Sequence, residues 1–183
     1  RIKCSKIEHP CISTHCENTL TVDIDGKVLI SDSELSTIQS ANSETGILQD
    51  IPAGIYLSDF VQSFGKTSIA FEWTGAMRGV LSAHKIGGPS GVGALLVRPG
   101  CRLSSLLRGG GQEQGRRAGT ENLVGIAGFG GAADDALGDI GHYQTMAKWR
   151  DAFESRMLEQ RSGVEVFGRA ALRHGNTRCI AAA

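Results

Sequence analysis

The chain has 183 residues, enough for one hydrophobic core or for one domain and part of another. Its 19 basic and 19 acidic side chains balance, and 21% charged with 40% hydrophobic residues is ordinary for a globular protein, so the basic footprint of a nucleic-acid binder is excluded. No apolar run reaches about 18 residues, and Arg1-Ile2-Lys3-Cys4 does not open a signal peptide, so the sequence predicts a soluble, cytoplasmic protein with no membrane partner.

In chain order, Leu20-Thr21-Val22-Asp23-Ile24 followed by Asp25-Gly26 predicts a strand running into a tight turn. Gly54–Asp59 predicts a strand that ends on an acidic residue, and Gly79–Ser82 and Ala94–Val97 predict two more. Glu121 to Leu137 reads as a helix rich in small residues, and His142 to Gln160 as an amphipathic helix with Met146, Trp149, Phe153 and Met157 at helical spacing. Val164–Phe167 and Thr177–Ile180 look like strands of a following unit. Short strands alternating with helical patterns give an α/β fold. A boundary near Gly138–Gly141 divides the chain into residues 1–138 and 139–183.

Two connections are short. Ser36 to Asn42, and Ile47 to Gly54, leave little room for the crossover of about a dozen residues that parallel strands normally need. Either those strands are not parallel neighbours, or connecting segments are missing.

The five cysteines, Cys4, Cys11, Cys16, Cys101 and Cys179, form no Cys-x-x-Cys pair. With His9 and His15 they match no closed zinc spacing, so no metal site is predicted and reduced thiols are expected.

The densest chemistry lies in Ser82-Ala83-His84-Lys85-Ile86-Gly87-Gly88-Pro89-Ser90-Gly91-Val92-Gly93. A partly desolvated lysine amine forms a Schiff base with an aldehyde. Ser82 and His84 offer hydrogen-bond donors to a phosphate, and the glycines let backbone approach a bulky ligand. Pyridoxal phosphate carries both groups; a surface lysine before a loop is the plainer reading of the window alone.

Further segments line up around this one: Ile7-Glu8-His9-Pro10, Ala41-Asn42-Ser43-Glu44-Thr45-Gly46, Ser58-Asp59-Phe60-Val61-Gln62, and Gly109-Gly110-Gly111-Gln112-Glu113-Gln114-Gly115-Arg116-Arg117-Ala118-Gly119-Thr120-Glu121-Asn122. Together they resemble the cysteine desulfurases, class-V aminotransferase-family enzymes of the nitrogen-fixation and iron–sulfur-assembly type. The resemblance implies an aminotransferase fold type I large domain, with a mostly parallel seven-stranded sheet between helices, over residues 1–138. It also implies the start of a smaller α+β domain over 139–183.

The activity it implies is removal of sulfur from L-cysteine with pyridoxal 5'-phosphate, giving L-alanine and a persulfide. The implied partners are a second copy of the chain and an iron–sulfur scaffold or other sulfur acceptor. On the same resemblance Lys85 would hold the cofactor and move protons at the substrate α-carbon. Asp59 would keep the pyridine nitrogen protonated, and Gln62 would donate to the ring hydroxyl. His9 would stack on the ring and assist proton transfer. Ser82 and His84 would bind the phosphate, Thr120 would reach the phosphate of the other subunit, and Asn42 would contact the cofactor. Arg116 and Arg117 would support the subunit interface. Each has a structural alternative: Asp59 as a helix cap, Gln62 as an exposed amide, His9 as a satisfied histidine, Arg116 and Arg117 as a solvated surface pair.

Two departures stand out. Ser43 occupies the position of the family's second asparagine, and none of the five cysteines falls in the motif of the sulfur-accepting nucleophile. The resemblance therefore implies a longer protein whose nucleophile and substrate-carboxylate arginine lie outside this sequence. Related lyases acting on selenocysteine or kynurenine, and a non-catalytic dimerisation or scaffold-binding module, are the alternatives.

Overall fold

A computed structural model describes residues 1–182. Its strands are β1 (Lys3–Ser5), β2 (Glu17–Leu20), β3 (Thr37–Gln39), β4 (Leu57–Asp59), β5 (Arg78–Ser82), β6 (Gly93–Val97), β7 (Val164–Val166) and β8 (Ile180–Ala182). Its helices are α1 (Pro10–Ser13), α2 (Phe71–Thr74), α3 (Leu123–Gly138) and α4 (Ile140–Gln160). No helix among the described residues is long and apolar enough to cross a membrane.

The central sheet runs β3-β4-β5-β6, with β3, β4 and β5 parallel and β6 antiparallel at the edge. A parallel bridge from Lys3 to Ser36 brings the parallel pair β1–β2 alongside β3. The carboxyl ends of β1, β3, β4 and β5 therefore lie along one edge. In open α/β sheets ligands bind in the crevice outside that edge. Of the seven strands implied by resemblance, these six align among the described residues.

β3 and β4 are parallel neighbours despite the short connection between them. Residues 40–56 make the return without a helix: Ala41 bridges Leu48 in a tight fold-back, and Ile55 N–H bonds to Pro52 O. The core below this edge gathers Ile38, Ile55, Phe60 and Ala76, flanked by Val28, Ile30, Phe64, Phe71 and Leu81. Phe60 meets Phe71 edge to face with ring centroids 6.1 Å apart, a favoured aromatic geometry.

Three sequence expectations shift. The strand expected at Leu20–Ile24 lies earlier, at β2. Residues beyond Leu20 instead form a small hairpin, in which Val22 bridges Val28 and Asp23 Oδ1 accepts the N–H groups of Asp25 and Lys27. The strand expected at Thr177–Ile180 begins at Ile180, and Cys179 is half-buried just before it. Helix α4 forms as expected, but its apolar stripe does not face the described core. Trp149 is 67% exposed, whereas Glu154 is 1% exposed.

Glu154 is buried because Arg173 meets it with two parallel 2.8 Å hydrogen bonds, Nη1 to Oε1 and Nη2 to Oε2. The bidentate pair neutralises both charges and leaves Arg173 Nε as the one guanidinium nitrogen without a partner among the described residues. Arg173 also bridges Ile47, Leu48 N–H bonds to Leu172 O and His174 N–H to Gly46 O, so this ion pair braces the turn that follows β3.

Candidate active site

Each parallel strand delivers a polar group as it reaches the shared edge. β1 leads to Glu8 and His9, β3 ends on Gln39 and continues to Asn42, β4 ends on Asp59, and β5 ends on Ser82. Gln39 and Asp59 are register partners. Ser40 locks the same edge, its N–H and its Oγ both donating to Asp59 O at 2.8 Å.

Asp59 is 8% exposed, and its Oδ1 accepts the Val61 N–H at 2.8 Å. Burial pushes its carboxyl up from the usual range, while that N–H and the nearby charge of His9 pull it down. The turn it opens carries Gln62 three residues on. Gln62 Oε1 accepts from Lys66 Nζ at 2.8 Å, and Lys66 is almost wholly buried. Burial, followed by the neighbouring charge of Lys85, brings the Lys66 amine down to about 8.

His9 caps α1. Its Nδ1 accepts the Cys11 N–H at 3.3 Å and lies 3.0 Å from Cys11 Sγ, which places the proton of the neutral ring on Nε2. Asp59 and Glu8 both lie close enough to push the Cys11 thiol up, after burial as the first cause. His9 and Asp59 are thus brought together.

Ser82, His84 and Lys85 follow one another through a short 3-10 turn, Ala83–Lys85. Ser82 Oγ and His84 Nδ1 are 2.7 Å apart, and Lys85 is exposed at the edge. The glycines beyond it have a definite task. Gly87 adopts φ +87°, which L side chains rarely adopt, and a Cβ on Gly88 would lie 3.0 Å from Ala83 O. The chain can therefore double back tightly behind the lysine.

Asn42 is 6% exposed, and its amide serves the fold. Oδ1 accepts from Glu44 N, Thr45 N and Thr45 Oγ1, and Nδ2 donates to Ile7 O at 3.2 Å. Asn42 and His9 line one cavity with Lys6, Glu8, Ser43 and Thr45. Ser43 Oγ donates to Glu44 Oε1.

Thr120 is not brought to this edge by the described chain. It is exposed in the glycine-rich loop, which is tied to itself: Arg117 Nη1 donates to Gly119 O and Thr120 O, and Gly119 N–H to Gln112 Oε1. Asn122 ends that loop by capping α3 through Gly125 N–H.

Sequence reasoning missed Glu8, Gln39 and Lys66. Glu8 is 5% exposed; its Oε1 accepts the Gln39 N–H at 2.6 Å and its Oε2 has no partner, nor has Gln39 Nε2. Burial pushes the Glu8 carboxyl up to about 7, with Asp59 adding to the rise and the Gln39 N–H opposing it. The one sequence signal for Glu8 was its place beside His9.

The donor set fits a group bearing an aldehyde, a basic ring nitrogen, a hydroxyl and a phosphate. An exposed amine (Lys85), a buried carboxyl using one oxygen (Asp59), an amide with its NH2 end free of Lys66 (Gln62) and a hydroxyl–imidazole pair (Ser82, His84) share one edge.

Residues 6–182 match the model of the class-V aminotransferases. The chain belongs to the class-V aminotransferase family. The cysteine desulfurase of Cereibacter sphaeroides is 34% identical over 204 residues, covering 97% of this chain and 52% of that protein. That span exceeds the 183 residues of the chain itself, so the relative carries residues inside the matched region that this class-V member lacks. The crystal structure of a NifS-like protein from Rickettsia africae superposes with a TM-score of 0.86 at 30% identity, covering 98% of this chain and 57% of that one. A structure described as SspA in complex with cysteine gives 0.72 at 27% identity, covering 93% and 55%. The chain thus spans about half the length of the curated relatives it matches.

Proposed function

We propose that the protein is a pyridoxal-phosphate-dependent cysteine desulfurase, converting L-cysteine to L-alanine and passing the sulfur to a thiol as a persulfide. The observation that carries the reading is the convergence of Asp59 and the Ser82-Ala83-His84-Lys85 run on one carboxyl edge, in a chain 34% identical to a cysteine desulfurase. When bound, pyridoxal phosphate supplies an aldehyde that condenses with amines and a ring that accepts electron density.

Around that group the residues divide the work. Lys85 contributes the anchoring amine and afterwards moves a proton at the substrate α-carbon. Asp59 holds a proton at the ring nitrogen, and Gln62 donates to the ring hydroxyl. Ser82 and His84 bind the phosphate, and His9 stacks on the ring and assists proton transfer. Asn42 acts by holding the loop that carries His9, through Ile7 O. The reading includes a homodimer in which Thr120 reaches the partner's phosphate, an iron–sulfur scaffold or other sulfur acceptor, and a cytoplasmic location. Residues 1–138 form the cofactor-binding unit in it and 139–183 the start of a smaller one.

The test is product analysis with the full-length protein loaded with pyridoxal phosphate. L-Cysteine and a thiol reductant should give alanine and sulfide in equal amounts. Cofactor binding with neither product overturns the reading. Turnover of selenocysteine or kynurenine in place of cysteine assigns the protein to a related lyase.

A further inference from the structure

Lys66 is an anomaly on this edge. It is 6% exposed, and no carboxylate lies within ion-pair distance of it among the described residues. The charged groups that influence it and its surroundings are basic: Lys85 beside it, and Arg150 with Lys66 itself around His174. Burying a lysine without a counter-ion is costly, so a polar contact whose direction a donor-only group fixes is a reason to keep one here.

That contact is the 2.8 Å hydrogen bond from Lys66 Nζ to Gln62 Oε1. An ammonium has three donors and no acceptor, so it can engage only the oxygen of the amide. The amide cannot flip without placing its NH2 against the ammonium. The turn that carries both residues is itself fixed: Phe64 N–H bonds to Phe60 O, Lys66 and Thr67 N–H to Ser63 O, and Asp59 Oδ1 holds Val61 N–H. Gly65 within it sits so close to Ala136 that an added Cβ would come to 2.6 Å of that methyl group.

We infer that Lys66 is a positioning residue, which orients the Gln62 amide so that its NH2 end is the one offered to the cofactor. The inference rests on the cofactor reading above. Lys66 touches neither cofactor nor substrate in it; it acts through Gln62.

A double-mutant cycle on the full-length protein tests this, read as pyridoxal phosphate affinity and as the absorption maximum of the bound cofactor. Lys66→Met should weaken binding about tenfold, the value of one well-placed hydrogen bond, and shift the absorption maximum as Gln62→Ala does. The double variant should be no worse than Gln62→Ala alone. Lys66→Arg should recover most of the affinity, because a guanidinium also lacks an acceptor. If Lys66→Met does not fold, Lys66→Leu takes its place in the cycle. Full additivity of the two substitutions, or wild-type affinity in Lys66→Met, overturns the inference and leaves the cofactor reading standing. A wild-type protein that takes up no pyridoxal phosphate overturns both.

Discussion

Gln39 and Asp59 face each other in register at the carboxyl ends of β3 and β4, and the Gln39 N–H reaches back 2.6 Å to the Glu8 carboxylate. This places two buried carboxyl groups, Glu8 and Asp59, on one sheet edge, with His9 next to Glu8 in the chain and close enough to influence Asp59. The charge state of this edge, and not only its shape, is therefore part of the fold.

The first prediction concerns pH. Glu8 moves from 4.5 to about 7 on folding, so the native chain holds a proton there that the unfolded chain has released. Its contribution is present below about pH 4.5 and is lost as pH rises through 7. His174 moves the other way, from 6.5 to about 4, because burial and then the Lys66 charge oppose its protonation. Its contribution is present above pH 6.5 and is lost as pH falls through 4. Each is on the order of 3 kcal/mol and they oppose each other across the window. Melting midpoints of Glu8→Gln should rise with pH from about 4 to 6.5, and those of His174→Gln should fall with pH from about 4.5 to 7. Parallel curves for both variants would contradict the assignment.

The second concerns the Glu154–Arg173 pair. Glu154→Ala leaves a buried guanidinium without its partner and should cost about 3–5 kcal/mol in denaturant unfolding. The double replacement Glu154→Leu/Arg173→Met should lose less than Glu154→Ala alone, because no charge remains buried. A double variant at least as unstable as the single one would show that the pair stabilises by more than mutual neutralisation.

The third concerns Asn42. Its Oδ1 holds three donors of the turn and its Nδ2 one carbonyl. Asn42→Asp keeps the acceptor and should preserve the turn, replacing the bond to Ile7 O by an unfavourable oxygen–oxygen contact. Asn42→Ala loses both and should destabilise by roughly 2–3 kcal/mol. Equal melting midpoints for the two variants would rule out the turn as the chief role of this amide.

Much of this arrangement was legible in the amino-acid order. The strand ending at Ser82 and the helices before and after Asp139 lie within a residue or two of where spacing and turn signals put them, and the strand ending at Asp59 stops where expected but starts three residues later, at Leu57. The glycines after Lys85 were a true signal, since Gly87 needs its positive φ and Gly88 its lack of a side chain. β3 was not legible: Thr37-Ile38-Gln39 has one apolar residue, and only tertiary contact buries all three. Nor did the sequence favour Glu154 over Trp149 as the inward residue of α4, because that choice depends on Arg173, 19 residues away. Lys66 escaped for the same reason, as its burial is set by chain folding around the turn and not by local pattern.

The most direct measurement is where the cofactor attaches. The full-length protein incubated with pyridoxal phosphate, reduced with borohydride and digested should carry the pyridoxyl group on the peptide containing Lys85. Attachment at Lys66 or any other lysine, or on no lysine at all, would contradict the account.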